Sequence, residues 1–205
     1  MIVTFYNKKG GTGKTSLAYS IAIDLDFYLL SNDDSFIEDY TDRSKIMPEI
    51  ELIKGEDIIY DLGGFVNTDV VEIIENSDIL VIPTTLDKDS VGDTINTLKE
   101  VSDFDSVPKL IILVINRYEK TDDERHKMPI QAMYDTLKKV SLKRNIHVKS
   151  VIIPESKILR NDISYTGKSI KQMCNENAFS RYRCRNIYPK YEKLLDAIKK
   201  FKESK

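Results

Sequence analysis

The feature that most restricts what this chain can fold into is the segment Lys9-Gly10-Gly11-Thr12-Gly13-Lys14-Thr15. Before it, Ile2, Val3, Phe5 and Tyr6 form a short β-prone run. After it, Leu17, Ala18, Ile21, Ala22 and Leu25 recur at helical spacing. A strand, a glycine turn and a helix in that order place backbone N–H groups around an anion. Gly10, Gly11 and Gly13 allow the tight turn, and the helix start adds its positive dipole end. The Lys14 ammonium can reach β- and γ-phosphates, and the Thr15 hydroxyl suits Mg²⁺. Thr12 and Ser16 are placed for further phosphate contacts. The segment therefore predicts binding of ATP with Mg²⁺. It departs from the common phosphate loop G-x-x-x-x-G-K-[ST] at one point: Lys8 stands where the first glycine belongs, and a second lysine, Lys9, precedes the glycines.

Further apolar runs follow at Phe27–Leu30, Asp57–Tyr60, Ile79–Ile82, Leu110–Ile115 and Val148–Ile153. Several are nearly continuous in Ile, Leu and Val, as in parallel strands covered on both faces. Helical patterns separate them at Asp69–Asn76, Ser90–Ser102 and Ile130–Leu142, and two more, Ser169–Glu176 and Tyr188–Lys202, close the chain. Alternating strands and helices predict an α/β doubly wound fold with a mostly parallel sheet flanked by helices. The 205 residues suit a single domain, 1–205, with basic helices from about residue 169.

Charge is unevenly placed. Residues 166–205 carry 11 Lys/Arg against 4 Asp/Glu, while residues 1–165 carry 20 against 29. A basic end on an acidic body suits either a polyanion partner or a solvated lysine-rich helix. No apolar run reaches the roughly 20 residues of a membrane span. Cys174 and Cys184 form neither a CxxC pair nor a zinc spacing, and are expected to be free thiols in a reducing cytoplasm.

Asn7-Lys8-Lys9-Gly10-Gly11-Thr12-Gly13-Lys14-Thr15 resembles the deviant Walker A loop of the ParA/MinD family of ATPases. The resemblance implies a P-loop fold, an ATP-dependent sandwich dimer, and a role for Lys9 in reaching the phosphates held by the partner subunit. Asp57-Ile58-Ile59-Tyr60-Asp61-Leu62-Gly63-Gly64 looks like Walker B, an apolar strand ending in a carboxylate, with Asp61 holding Mg²⁺ through water. Tyr28-Leu29-Leu30-Ser31-Asn32-Asp33-Asp34 matches in part the strand that ends in Asp-x-Asp-Pro-Gln. Asp34 aligns with the hydrolysis-linked aspartate, Asn32 replaces the first, the Pro-Gln is absent, and Asp33 is a substitute to be weighed. Ser77–Thr84 looks like the family's fourth strand and switch-like loop. Asn116 resembles the strand-end residue that reads the adenine edge, Pro154 the loop that packs on the base, and Gly167-Lys168-Ser169-Ile170 the start of the terminal helices.

A chain beginning at its nucleotide strand looks like the small plasmid-partition type, without an N-terminal DNA-binding extension. That type implies a homodimer with ATP, nonspecific DNA as partner through Arg181, Arg183, Arg185 and Lys190, a centromere-binding protein (often ribbon-helix-helix) that stimulates hydrolysis, and a nucleoid-associated place in the cytoplasm. Tyr182, Tyr188 and Tyr191 are expected in a core or interface. One alternative is a MinD-like ATPase anchored to membrane by the stripe Tyr191, Leu194, Leu195, Ile198 and Phe201. Another is a non-catalytic ATP-gated binding module. Iron-protein, small-molecule ligase and tyrosine-autokinase relatives fit less well, since the cysteines lie far from the loop, a ligase has no need of Lys9, and only three tyrosines follow residue 180.

Overall fold

Leu110–Ile115 is apolar at every position because the strand it forms is covered on both faces. Ile112 and Val114 face one apolar cluster, and Ile111, Leu113 and Ile115 face the other. Successive side chains of a strand point to opposite faces, so only such double cover explains an unbroken apolar run. The computed structural model describes residues 1–64, 67–119 and 124–204. Among them seven strands form one sheet: β1 (Ile2–Tyr6), β2 (Tyr28–Ser31), β3 (Ser44–Ile46), β4 (Ile58–Leu62), β5 (Ile79–Thr84), β6 (Leu110–Tyr118) and β7 (His147–Pro154). Their order is β3-β2-β4-β1-β5-β6-β7, and every pairing is parallel.

The helices are α1 (Lys14–Leu25), α2 (Thr68–Glu75), α3 (Lys88–Asp103), α4 (Glu124–Arg144), α5 (Ile163–Thr166), α6 (Ile170–Asn175), α7 (Ala178–Cys184) and α8 (Tyr188–Glu203). α1 and α5–α8 cover one face, and α2–α4 cover the other. This is the doubly wound α/β architecture. Because the strands are all parallel, their carboxyl ends share one edge. β1 lies between β4 and β5, so the chain winds away from it in both directions. Such a switch point, at the carboxyl ends of the strands, is where ligands of open α/β sheets bind.

The terminal helices correct two expectations and decide between two others. Cys174 and Cys184 are joined in a disulfide, which overturns the expected free thiols. The turn at Glu176–Asn177 folds α7 back on α6 and brings the two Cα atoms to 5.5 Å, within bonding range although no short spacing announces it. Tyr182 is exposed, with the Arg185 guanidinium 3.8 Å from its ring centroid. It therefore does not belong to the core with Tyr191. Finally, Tyr191, Leu194, Leu195 and Ile198 are buried against the chain's own sheet. Four of the five members of the α8 stripe are thus occupied within the fold, and the fifth, Phe201, is half-buried against the same cluster. Among the described residues no helix is long and apolar enough to cross a membrane.

One polar cluster joins α1 to these terminal helices. The Asp24 carboxylate accepts hydrogen bonds from Ser169 Oγ at 2.5 Å and Tyr191 OH at 2.6 Å. Ser169 also caps α6 in a reciprocal capping box with Gln172. Burial pushes the Asp24 carboxyl above its ordinary value, against the opposing pull of its two hydroxyl donors and of Lys171 and Lys199. The folded chain then holds this proton more tightly than the unfolded chain. Its contribution to stability is complete below the ordinary pKa and is lost as pH rises through the raised folded value. Asn cannot ionise. Asp24→Asn should therefore gain stability relative to the parent as pH rises past the ordinary carboxylate range, measured by urea unfolding; a difference that stays flat with pH would exclude the raised pKa.

Candidate functional site

The loop between β1 and α1 is held from three sides. Asn7 is fully buried and donates through Nδ2 to the Pro83 carbonyl (2.8 Å) and Thr94 Oγ1 (3.0 Å), while its Oδ1 accepts from the Lys9 N–H (3.1 Å). Asn116, at the end of β6, donates through Nδ2 to the Thr12 carbonyl at 2.9 Å and accepts from the Arg117 N–H at 2.9 Å. Gly13 has φ +87°, and a Cβ there would stand 2.3 Å from Asn116 Nδ2, so both backbone and space demand glycine. No side chain caps the start of α1. Its first-turn N–H groups are left for a ligand, and an anion is the ligand they suit.

Lys14, Thr15 and Ser16 occupy that first turn. Lys14 is largely buried, Thr15 and Ser16 half-buried. Thr12 is buried, and its hydroxyl has no partner. Asp61, in β4, pairs in register with Phe5 of β1 and Ser31 of β2. It is 1 % exposed, and neither carboxylate oxygen has a hydrogen bond of normal geometry. Burial pushes its pKa up. Lys14 pulls it down, as do the nearby Thr15 and Ser31 hydroxyls, while Asp33 pushes it up further. A buried anion without a hydrogen bond of normal geometry is costly. A cation beside Asp61 and Thr15 would relieve that cost, so these residues fit Mg²⁺. Among the described residues no group of three or more His, Cys, Asp or Glu is gathered as a metal cage.

The two other lysines of the loop lie over α3. Lys8 pairs with Glu100 at 2.5 Å, which gives the residue that breaks the common motif a place of its own. Lys9 Nζ lies 3.9 Å from Asp89, with both side chains well exposed. Such a pair is worth at most about 1 kcal/mol and holds Lys9 weakly. Asp34 is exposed. Pro154 ends β7 beside Tyr118, whose carbonyl accepts from the Glu155 N–H. Arg181, Arg183, Arg185 and Lys190 are all exposed on α7, its end and α8. They form a surface apart from the loop, and Arg183 is paired with Asp162 at 2.8 Å.

The structure brings together Lys14, Thr15, Thr12, Gly13, Asp61 and Asn116. Asn116 faces the loop backbone, since its amide already serves Thr12 and Arg117. The bracing by Asn7 was missed from sequence; the signal available was a polar amide directly after an apolar strand. Asn116→Ala would strip the buried Thr12 carbonyl and Arg117 N–H of a partner. It should lower stability by about 1–3 kcal/mol in urea unfolding and weaken binding of a fluorescent ATP analogue.

No family model matches the sequence, and no curated protein matches it. Solved structures do match in fold. McdA from Cyanothece in complex with ATP has 13% identity and a TM-score of 0.65, covering 98% of this chain and 95% of its own. The cell division ATPase MinD of Pyrococcus furiosus has 16% identity and a TM-score of 0.58, with 97% and 98% covered. A putative plasmid partition protein of Borrelia burgdorferi bound to AMPPNP has 18% identity and a TM-score of 0.57, with 98% of both chains covered. The sheet order, the loop after β1 and the similarity along almost the whole length give one result: the chain has the fold of the ParA/MinD ATPases.

Proposed function

We propose that the chain is an ATPase that dimerises with ATP and serves DNA partition, binding DNA without sequence preference. The single observation that carries the ATP reading is the uncapped start of α1 above the buried, unpartnered Asp61. An anion site and a cation need lie side by side there, as a nucleotide triphosphate with Mg²⁺ requires. The fold is shared with McdA bound to ATP and with a partition protein bound to AMPPNP, which supports the same reading.

In this reading the N–H groups of Gly10–Lys14 hold the phosphates, and Lys14 neutralises charge at the β- and γ-oxygens. Thr15 and Asp61 would hold Mg²⁺, which when bound spreads the charge that develops on the transferred phosphoryl group. A carboxylate at the end of β2, Asp34 by alignment, orients the attacking water. Lys9 leaves its weak contact with Asp89 and extends to the phosphates of a second copy, so dimerisation depends on ATP. Asn116 and Pro154 border the side on which the base would lie. Hydrolysis removes the γ-phosphate contacts and releases the dimer. A centromere-binding partner accelerates that step, and the nucleoid is the surface on which the cycle runs.

The dimer would join two sets of exposed cations, Arg181, Arg183, Arg185 and Lys190, into one polyanion surface. Nonspecific duplex binding requires phosphate contacts rather than base readout. The MinD-like alternative is disfavoured, because four of the five stripe residues of α8 are buried against the sheet.

Lys14→Ala should abolish binding of an ATP analogue. Lys9→Ala should keep binding and lose the ATP-dependent dimer in light scattering; normal dimerisation would refute the cross-subunit role. Charge reversal at Arg181 and Arg185 should weaken DNA binding with nucleotide affinity unchanged. It should also flatten the dependence of log K on log salt by about one for each phosphate no longer neutralised. Salt-independent DNA affinity in the parent would count against the electrostatic reading.

A further inference from the structure

The end of β2 does not follow the motif it resembles, and the structure gives the departure a physical form. Asn32 sits where an aspartate is expected. Its side chain pairs with the backbone of Gly63 twice: Nδ2 donates to the Gly63 carbonyl at 3.1 Å, and Oδ1 accepts from the Gly63 N–H at 2.8 Å. A carboxylate could not make that pair, because it has no N–H to donate. The amide thus acts as one more rung between the loops after β2 and β4, just beyond the register pair Ser31–Asp61. Its side chain is fully engaged there.

The next residue turns toward the same place. The Ser31 hydroxyl accepts from the Asp33 N–H and donates to the Asp33 carbonyl, both at 3.2 Å, which closes a tight local ring. The Asp33 carboxylate then lies over Gly63. A Cβ on that glycine would stand 2.9 Å from Asp33 Oδ2 and 3.3 Å from its Cγ. Gly63 follows Asp61 by two residues, and the Asp33 charge is felt at Asp61. Asp33 and Asp34 are both exposed, and among the described residues neither carboxylate has a hydrogen bond or ion pair; Asp33 is the one that lies over Gly63 and acts on Asp61.

Two neighbouring carboxylates, one of them buried without a hydrogen bond of normal geometry, repel each other unless a cation lies between or beside them. Lys14 supplies part of that charge from the phosphate side. We propose that Asp33, and not Asp34, is the second carboxylate of the cation site, facing the ion held by Asp61 across Gly63. Asn32 positions it by clamping the two loops together. The proposal rests on the reading of this crevice as the nucleotide–Mg²⁺ site. It gives Asp33 a place at the ion that is separate from the water-orienting role that alignment gives to Asp34.

The test is Mn²⁺ binding to the full chain, followed by electron paramagnetic resonance, without nucleotide and then with a non-hydrolysable ATP analogue. Asp33→Asn should weaken Mn²⁺ about tenfold, the order expected when an outer carboxylate of a metal site is lost. Asp34→Asn should stay within about twofold of the parent, and Asp33→Glu, which keeps the charge, should recover part of the loss. Thermal melts of each variant separate loss of charge from loss of fold, and metal-free affinity for the ATP analogue should not fall in Asp33→Asn. Mn²⁺ affinity of Asp33→Asn equal to the parent overturns the proposal. So does an equal loss in Asp34→Asn. A parent chain that binds Mn²⁺ but no ATP analogue would instead overturn the ATP reading, leaving the comparison of the two aspartates standing.

Discussion

The Asp61 carboxylate is the constraint around which the structure is organised. It lies inside the sheet near the end of β4, with β1 on one side and β2 on the other, and among the described residues neither oxygen has a hydrogen bond of normal geometry. Burying an unpaired charge costs several kcal/mol, and such a site persists only where surrounding packing holds it. That packing comes from two apolar clusters, one on each face of the sheet, in which Val3, Phe5, Ile59, Val81, Ile58 and Leu80 are almost wholly buried. The central strands are the best covered, and the costly group is placed among them. The buried Lys14 at the start of α1 offsets part of the charge, so the phosphate loop and the carboxylate strand stabilise each other before any ligand arrives.

The same arrangement explains what could be read from the sequence. The loop Lys9–Thr15 and its flanking periodicities are local signals, and the strand, turn and helix they predict are present. The continuous apolar runs became β5 and β6 because burial on both faces erases alternation. β3 escaped notice because Ser44-Lys45-Ile46 is a three-residue edge strand with half-exposed side chains and no pattern to detect. α7 escaped because Phe179 and Tyr182, its largest side chains, face outward, so no apolar stripe marks it. The Cys174–Cys184 bond is a product of the α6–α7 turn, a tertiary fact that spacing did not encode. Asn116 was legible as a strand-end amide; that it would turn to the Thr12 carbonyl depends on β6 standing two strands from β1, which only the sheet order reveals.

Electrostatics divides the molecule into two regions. The crevice at the sheet edge combines acidic groups with lysines that are locally paired, Lys8 with Glu100 and Lys9 with Asp89. The C-terminal helices carry most of the excess positive charge at exposed positions. Within them Arg183 is neutralised by Asp162 and Arg185 is stacked on Tyr182. Both contacts are exposed and weak, so they orient the guanidinium groups at little cost to a competing phosphate.

These two regions are joined by a single element. α1 starts at the phosphate loop with Lys14, and near its other end Asp24 holds Ser169 and Tyr191, the cap of α6 and a buried anchor of α8. Midway along it Tyr19 OH donates to the Gly167 carbonyl at 2.9 Å, at the turn where those helices begin. A twelve-residue helix is a stiff rod of about 18 Å, and here it is bonded to the terminal helices at three points along its length. The loop that would carry phosphate and the surface that would carry DNA are therefore attached to the same rod. Loop and basic helices are thus joined on one face of the sheet by packing and by these hydrogen bonds. The polar residues Ser20, Asp24 and Ser169 sit in that interface where apolar side chains would have packed as well. Their hydrogen bonds are directional, and direction is what fixes one rotational setting of the terminal helices against α1.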